Sequence, residues 1–246
     1  MSPGANGSAA VKVGFFDSGV GGLSILWAFR RRRPEIATEY IADTENCPYG
    51  NRPPEEIVRL SDANTRRLLA KGCRMVVVAC NTATAAAIDF LRAKYPEVPF
   101  VGLEPALKPA ALRSKTGVVG VLATAGTFSG RLYNETKRRF ARNVTIVAAI
   151  ADEFVAEVER HGDSIRRGEG FGPDASRRRV EEMVRRRVEP LLKAGADRIV
   201  LGCTHFTHLR EFIEKVCDGR AEVVDSTEAV ARQAERILVE KGWIGA

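Results

Sequence analysis

Met75-Val-Val-Val-Ala-Cys80-Asn-Thr is an apolar run that ends in a cysteine and small polar residues, and Ile199-Val-Leu-Gly-Cys203-Thr-His repeats the pattern later in the chain. Continuous apolar runs of this length are typical of strands buried in a parallel sheet, and small polar residues after them begin the next helix. Both thiols are therefore predicted at the carboxyl ends of strands. That edge is where open α/β sheets bind ligands.

Two interpretations of this pair of cysteines are open. Free cysteine is among the most buried residue types, so a single cysteine after a strand would be read as part of the core. The recurrence of the arrangement favours instead one site built from two halves. Because a helix amino terminus favours a thiolate, we expect the pKa of one thiol to lie about one to two units below its usual 8.5.

The first hundred residues alternate between predicted strands and helices, beginning with a strand at residues 11–16 after a segment at 1–10 that is predicted to be disordered. This alternation predicts a parallel sheet with helices on both faces. The pattern restarts near residue 103, and the last strand and helix are predicted to rejoin the first unit. The expected domains are residues 1–103 plus 214–246, carrying Cys80, and residues 104–213, carrying Cys203.

The glycine-rich segment after the first strand, Asp17-Ser-Gly-Val-Gly-Gly22, does not have the spacing of a dinucleotide-binding loop, and no P-loop lysine follows it. It is either a simple turn or a nest. In a nest, backbone N–H groups would hold a substrate carboxylate while Asp17 points into the site.

Composition is that of an ordinary soluble globular protein, with 45% apolar and 28% charged residues among 246. No apolar run approaches the roughly 18 residues of a membrane span, and no signal peptide is evident, so we expect a cytoplasmic protein with five free thiols. The net charge of +7 suggests nucleic acid as a partner. The arginine runs at 30–33, 177–179 and 185–187 lie in predicted helices without interleaved aromatics, which favours solvated helix faces.

Two thiols on opposite sides of one bound molecule suit a reaction that removes a proton from one face of a carbon and returns it to the other. Racemisation or epimerisation is the predicted chemistry. His205, two residues after Cys203, could move the proton of that thiol or stabilise charge. Zinc is the competing use of Cys80, Cys203 and His205, but the chain has no CxxC pair and no second histidine at ligand spacing, which argues against a metal.

These features together resemble glutamate racemase, the pyridoxal-independent enzyme that supplies D-glutamate for bacterial peptidoglycan. The resemblance extends from about residue 13 to residue 237. It rests on five motifs in the same order: Phe16-Asp-Ser-Gly-Val-Gly-Gly-Leu23, Cys47-Pro-Tyr-Gly-Asn51, Ala79-Cys-Asn-Thr-Ala83, Leu122-Ala-Thr-Ala-Gly-Thr127 and Leu201-Gly-Cys-Thr-His-Phe206. It implies two pseudo-symmetric three-layer α/β domains, with mainly parallel sheets, that close over glutamate in the cleft between them. No cofactor is implied.

By this resemblance Cys80 would take the α-proton from D-glutamate and Cys203 would take it from L-glutamate. Asp17 would assist the first thiol and His205 the second, and a further glutamate of the family aligns at Glu159. The residues expected to hold the substrate's carboxylates and amino group are Ser18, Pro48, Tyr49, Gly50, Asn51, Asn81, Thr82, Thr124 and Thr204. Hydrogen bonds to such buried charged groups are worth about 1.5 to 3 kcal/mol each.

The chain departs from the family pattern after Phe206, where Thr207-His208-Leu209 stands in place of the usual Pro-Leu. This change leaves side-chain specificity open. The alternatives are a racemase of the same fold acting on aspartate or another amino acid, a non-catalytic binding protein, and a nucleic-acid-binding protein. We expect a homodimer, because most soluble oligomers have two-fold symmetry.

Overall fold

Two four-stranded parallel sheets organise the computed structural model, which describes residues 11–141 and 143–245. The first sheet contains β1 (Lys12–Asp17), β2 (Ala37–Ala42), β3 (Met75–Val78) and β4 (Phe100–Val101), in the order β2-β1-β3-β4. The second contains β5 (Val118–Ala123), β6 (Thr145–Ile150), β7 (Arg198–Leu201) and β8 (Glu222–Val224), in the order β6-β5-β7-β8. The same strand order in both sheets makes the halves pseudo-symmetric. The segment at residues 1–10, predicted to be disordered, lies outside the described residues.

Helices flank both sheets, which gives the three-layer α/β architecture that the sequence predicts. In the first half these are α1 (Leu23–Arg32), α2 (Pro54–Ala70) and α3 (Asn81–Lys94). The remaining helices are α4 (Leu107–Arg113), α5 (Ala125–Ser129), α6 (Arg131–Phe140), α7 (Asp152–Arg160), α8 (Gly162–Arg166), α9 (Asp174–Lys193), α10 (Arg210–Cys217) and α11 (Thr227–Glu240). Short 3₁₀ helices cover Thr44–Asn46, Tyr49–Asn51 and Thr204–Leu209. Across residues 11–141 and 143–245, none of the helices combines the length and the apolar character that crossing a bilayer requires.

The strand positions bring the predicted site residues together. In the first sheet β1 and β3 are central neighbours, and Phe16 pairs with Val78. Asp17 ends β1 and Cys80 lies just beyond β3, so the two residues leave the sheet side by side. The strand β7 is central in the second sheet and delivers Cys203 in the same way.

The final strand corrects one part of the predicted domain boundaries. It does not rejoin the first sheet: β8 pairs with β7, with Glu222 opposite Arg198. The tight turn at Asp218 and Gly219, both at positive φ, returns the chain directly beside β7. Only α11 crosses over, and it packs along α1 with ion pairs such as Arg31–Glu228.

The arginine runs lie on helices, as predicted, and many of these side chains pair with acidic residues. The runs at 30–33 and 177–187 occupy α1 and α9. Among their partners are Glu211, which pairs with Arg177, and Glu153, which pairs with Arg187. Much of the positive charge is therefore matched locally on the helix surface.

Candidate active site

Asp17 is fully buried at the end of β1, and the glycine loop folds around its carboxylate. Oδ1 accepts a hydrogen bond from the Ser18 N–H at 2.7 Å, and Oδ2 accepts one from the Gly22 N–H at 2.6 Å. The loop is thus a nest, but these two N–H groups hold a carboxylate of the protein itself. Burial raises the pKa of Asp17, opposed by the charge of His205 and by the hydrogen bonds that it accepts.

Cys80 caps the amino terminus of α3, where its Sγ accepts a hydrogen bond from the Ala83 N–H at 3.4 Å. The same sulfur lies 3.8 Å from Ser18 Oγ and within hydrogen-bonding reach of Asp17. Burial and the neighbouring Asp17 raise the pKa of Cys80 far above its usual value, and the helix terminus offsets only part of this. The expectation that a helix terminus would lower the thiol pKa is therefore wrong for Cys80.

Cys203 is followed by a 3₁₀ helix, not by the α-helix that the sequence predicts; α10 begins only at Arg210. The tighter turns bring the side chain of His205 back towards the strand end, with Nδ1 3.7 Å from Cys203 Sγ. The other ring nitrogen, Nε2, lies 2.6 Å from Glu159 Oε1. Cys203, His205 and Glu159 therefore form one connected row of side chains.

Hydrogen bonds determine which side chains in this row carry a charge. Burial disfavours the imidazolium, but bonds with Cys203, Cys47 and Glu159 hold the pKa of His205 well above its ordinary value. Burial also works against a charged Glu159, yet its bonds to His205 and to the Val20 N–H, at 2.7 Å, keep the pKa of Glu159 below its usual range. A carboxylate and a protonated imidazole are thus paired beside Cys203.

A side-chain hydrogen bond between the halves links the two rows. Thr204 Oγ1 donates to Asp17 Oδ2 at 3.3 Å, and the Asp17 carboxylate serves the Cys80 side. The Cys80 thiol is also close enough to Cys203 for the two to interact electrostatically. The structure therefore brings together Asp17, Ser18, Cys80, Glu159, Cys203, Thr204 and His205.

A cavity of about 380 Å³ opens beside this cluster between the halves. Four of the residues expected to hold substrate line it: Pro48, Gly50, Asn51 and Thr124. The other lining residues are Thr44, Cys47, Asp152, Val155, Ala156 and Glu159. Neither catalytic-candidate thiol lines this cavity; Cys80 is buried, with 5% of its surface exposed, whereas Cys203 is partly exposed.

The remaining expected contacts differ in their placement. Asn81 and Thr82 are partly exposed on the first turn of α3, next to Cys80. The Tyr49 side chain is buried and its hydroxyl donates to Asp43 Oδ2 at 2.5 Å, away from the cavity lining. The Tyr49 hydroxyl is thus occupied by Asp43, and the predicted contact of Tyr49 with substrate would be made by its backbone.

Sequence reasoning did not assign two side chains that the structure places at the site. The thiol of Cys47 lies in a group with Glu159 and His205 whose ligand atoms are all within 4.8 Å of one another. His208 Nε2 lies 3.2 Å from the carbonyl oxygens of both Val20 and Gly21, in the glycine loop. In the sequence, Cys47 is marked only by its place in the Cys47–Asn51 motif, and His208 is marked only by its departure from the family pattern.

Residues 27–234 match the family described as Asp/Glu/hydantoin racemase. A glutamate racemase of Herpetosiphon aurantiacus is 44% identical over 226 residues, which cover 92% of this chain and 84% of that protein. The Escherichia coli glutamate racemase, solved with L-glutamate and the activator UDP-MurNAc-Ala, is 34% identical with a TM-score of 0.80. That match covers 93% of this chain and 82% of the solved one. A Bacillus anthracis glutamate racemase superposes with a TM-score of 0.76 at 28% identity, over 95% and 83% of the two chains.

The two pseudo-symmetric parallel sheets, together with these matches, place the fold in the racemase class. The chain belongs to the Asp/Glu/hydantoin racemase family and is an isomerase. Within the family, the relatives described above carry the name glutamate racemase.

Proposed function

We propose that the protein interconverts L-glutamate and D-glutamate without a cofactor, by taking the α-proton with one cysteine and returning it from the other. One observation carries the proposal. Each sheet delivers a cysteine with an ionisable partner, Asp17 for Cys80 and His205 for Cys203, and the Thr204–Asp17 hydrogen bond joins the two sets. The substrate follows from relatives named glutamate racemase, one of them solved with L-glutamate.

The two thiols enter the reaction in different protonation states. The raised pKa of His205 gives it protons on both ring nitrogens, and an imidazolium 3.7 Å from Cys203 Sγ pairs best with a thiolate. The raised pKa of Cys80 keeps that sulfur protonated. Inversion needs this combination, because one sulfur must accept a proton while the other supplies one.

With L-glutamate, the Cys203 thiolate removes the α-proton and becomes a thiol, while the electron pair of the broken C–H bond stays on the substrate. The Cys80 thiol then delivers its proton to the opposite face and becomes a thiolate. The product is D-glutamate, and the reverse reaction exchanges the roles. Burial and then the charge of Asp17 raise the pKa of Cys80, and the positive α-amino group of the substrate would offset the Asp17 charge.

Proton exchange in D₂O tests the proposal directly. L-glutamate and D-glutamate are incubated separately with the protein, and the α-proton signal and the enantiomeric composition are followed by NMR and chiral chromatography. Wild type should exchange and invert both enantiomers. Cys80→Ser and Cys203→Ser should each lose at least about 100-fold in racemisation, since a positioned acid–base group contributes about 10²- to 10⁴-fold.

The single variants also assign each thiol to a face. An intact thiol without its opposite partner returns deuterium to the face from which it took the proton. Cys80→Ser should therefore exchange L-glutamate without inversion, and Cys203→Ser should do so with D-glutamate. Cys73→Ala, a buried cysteine at the other end of β3, is the control and should racemise as wild type does.

Other outcomes separate the alternatives. Exchange with aspartate or another amino acid, but not with glutamate, would keep the two-thiol chemistry and reject the substrate. No exchange with any amino acid would favour a binding protein. Retention of racemisation in either serine variant would contradict the mechanism.

We further propose that the D-glutamate is made in the cytoplasm and supplies peptidoglycan synthesis, and thereby cell-wall formation and cell shape. The relatives' activity supports this role. A homodimer is our proposal for the assembly, since closed two-fold pairs are the commonest soluble oligomers. Sedimentation of the purified chain with and without glutamate would test it.

A further inference from the structure

The group formed by Cys47, Glu159 and His205 combines three classes of metal ligand at one end of the cavity. A sulfur, a carboxylate oxygen and a ring nitrogen from these residues lie within 4.8 Å of one another. Cys47 comes from the loop after β2, Glu159 from α7 and His205 from the 3₁₀ helix after β7. Because the three come from distant parts of the chain, no ligand spacing is visible in the sequence.

We propose that this group is an inhibitory site for a borderline-soft divalent cation such as Zn²⁺ or Cd²⁺. Thiolate, imidazole and carboxylate are the ligands that zinc takes in proteins, and the sulfur selects such ions over Mg²⁺ and Ca²⁺. The inhibition rests on the proposed racemase function, whereas the binding does not.

The surroundings fit an ion with one open coordination position. His205 Nδ1 faces Cys203, so Nε2, already 2.6 Å from Glu159 Oε1, is the nitrogen available to the ion. Cys47 and Glu159 both line the cavity, which gives the ion a route in and leaves room for water as a fourth ligand. Three protein ligands with an open position are the pattern of accessible zinc sites, in contrast to closed structural ones.

Binding of the metal ion would occupy the side chains on which the Cys203 half-site depends. The ion takes the place of the proton between His205 Nε2 and Glu159, and of the thiol proton of Cys47, so that both protons are released to solvent. His205 is then held by the metal and cannot exchange a proton through that nitrogen. The expected result is a loss of racemisation that a chelator reverses.

A titration of the metal-free protein with Cd²⁺ tests the site without reference to activity. The ultraviolet charge-transfer absorption of a cadmium–thiolate bond reports whether a cysteine is a ligand. Wild type should show a saturable signal, and Cys47→Ser should bind at least about 100-fold more weakly, because even loss of an outer partner of a metal ligand costs about 10- to 100-fold. Cys73→Ser, which removes a buried thiol at the opposite sheet edge, should titrate as wild type does.

Two further measurements close the test. Glu159→Gln should also weaken Cd²⁺ binding while its circular dichroism stays that of wild type. Zn²⁺ should inhibit wild type and Cys73→Ser at concentrations that leave Cys47→Ser at its own metal-free rate, each variant being compared with its own activity without metal. Equal Cd²⁺ titrations of Cys47→Ser and wild type, or a thiolate signal that disappears only in Cys80→Ser or Cys203→Ser, would overturn the proposal.

Discussion

At the scale of the residue, the two candidate thiols differ because their ionisable partners carry opposite charge. A carboxylate stands beside Cys80 and an imidazolium stands beside Cys203. The same type of side chain, at equivalent places in two similar sheets, therefore has a negatively charged partner on one side and a positively charged partner on the other. In the proposed mechanism, the positions of the cysteines place one sulfur on each side of the substrate, and the charges of their partners distinguish the two sulfurs.

Glu159→Gln tests the partner of His205. Losing a hydrogen bond to a charged group costs about 1.5 to 3 kcal/mol, which corresponds to a fall in kcat/KM of roughly 10- to 100-fold. Because Glu159 contributes to the raised pKa of His205, its removal lowers that pKa, and His205 loses its proton at lower pH. The alkaline limb of the pH–rate profile with L-glutamate should therefore move to lower pH.

Glu153→Gln is the matched control for this measurement. Glu153 lies on the same helix, is partly exposed, and pairs with Arg187 at the surface. Its variant should keep the wild-type profile. A Glu159→Gln enzyme with reduced rate but an unshifted alkaline limb would show that Glu159 does not act through the charge of His205.

At the scale of the element, the 3₁₀ helix at Thr204–Leu209 does more than carry His205. It places His208 against the glycine loop of the other half, where Nε2 meets two carbonyl oxygens and the ring packs edge-on against Trp27, with centroids 5.9 Å apart. Burial, followed by the charge of His205, lowers the pKa of His208 to about 4. The residue that departs from the family pattern is thus a neutral donor between the halves.

His208→Leu, which restores the family's residue, should change how stability depends on pH. The folded pKa of about 4 lies below the ordinary 6.5, so the unfolded chain binds more protons between these values. Wild type should therefore lose stability as pH falls from 6.5 to 4, by at most about 3 kcal/mol from this residue. The variant should lack that contribution. Urea unfolding across this window measures it, and a difference in unfolding free energy that stays constant with pH would contradict it.

At the scale of the whole molecule, the site is completed only where the halves touch. Helix α5 of the second half packs on the 3₁₀ helix at Tyr49–Asn51 of the first, and the cavity is lined by residues of that 3₁₀ helix and by Thr124, which caps α5. A β-carbon at Gly126 would come within 2.6 Å of the Gly50 carbonyl oxygen. The missing side chain therefore lets the two halves close, and the burial of Cys80 requires that the halves open again to admit substrate.

Gly126→Ala should hold the halves slightly apart. The residue has helical backbone, so alanine suits its conformation and the clash is confined to the contact with Gly50. Since a misplacement of about 1 Å can cost 100-fold in rate, we expect kcat/KM to fall by about 10- to 100-fold. The unfolding free energy should change by less than about 1 kcal/mol. Ser129→Ala, exposed on the same helix, is the control, and wild-type kinetics in Gly126→Ala would argue against closure at this contact.

The sequence by itself determined the fold class and the places of Asp17, Cys80 and Cys203. Short apolar runs predict buried strands, and the residues that follow each run are therefore predicted at the strand ends. Each of these apolar patterns spans only a few residues and does not depend on contacts with distant parts of the chain. The tertiary structure alone decided what surrounds them: the Glu159–His205 pair, the Thr204–Asp17 link, Cys47 beside the imidazole, and β8 in the second sheet. Each of these contacts joins residues far apart in the chain, and the pKa values that govern the chemistry depend on burial and charge at those contacts.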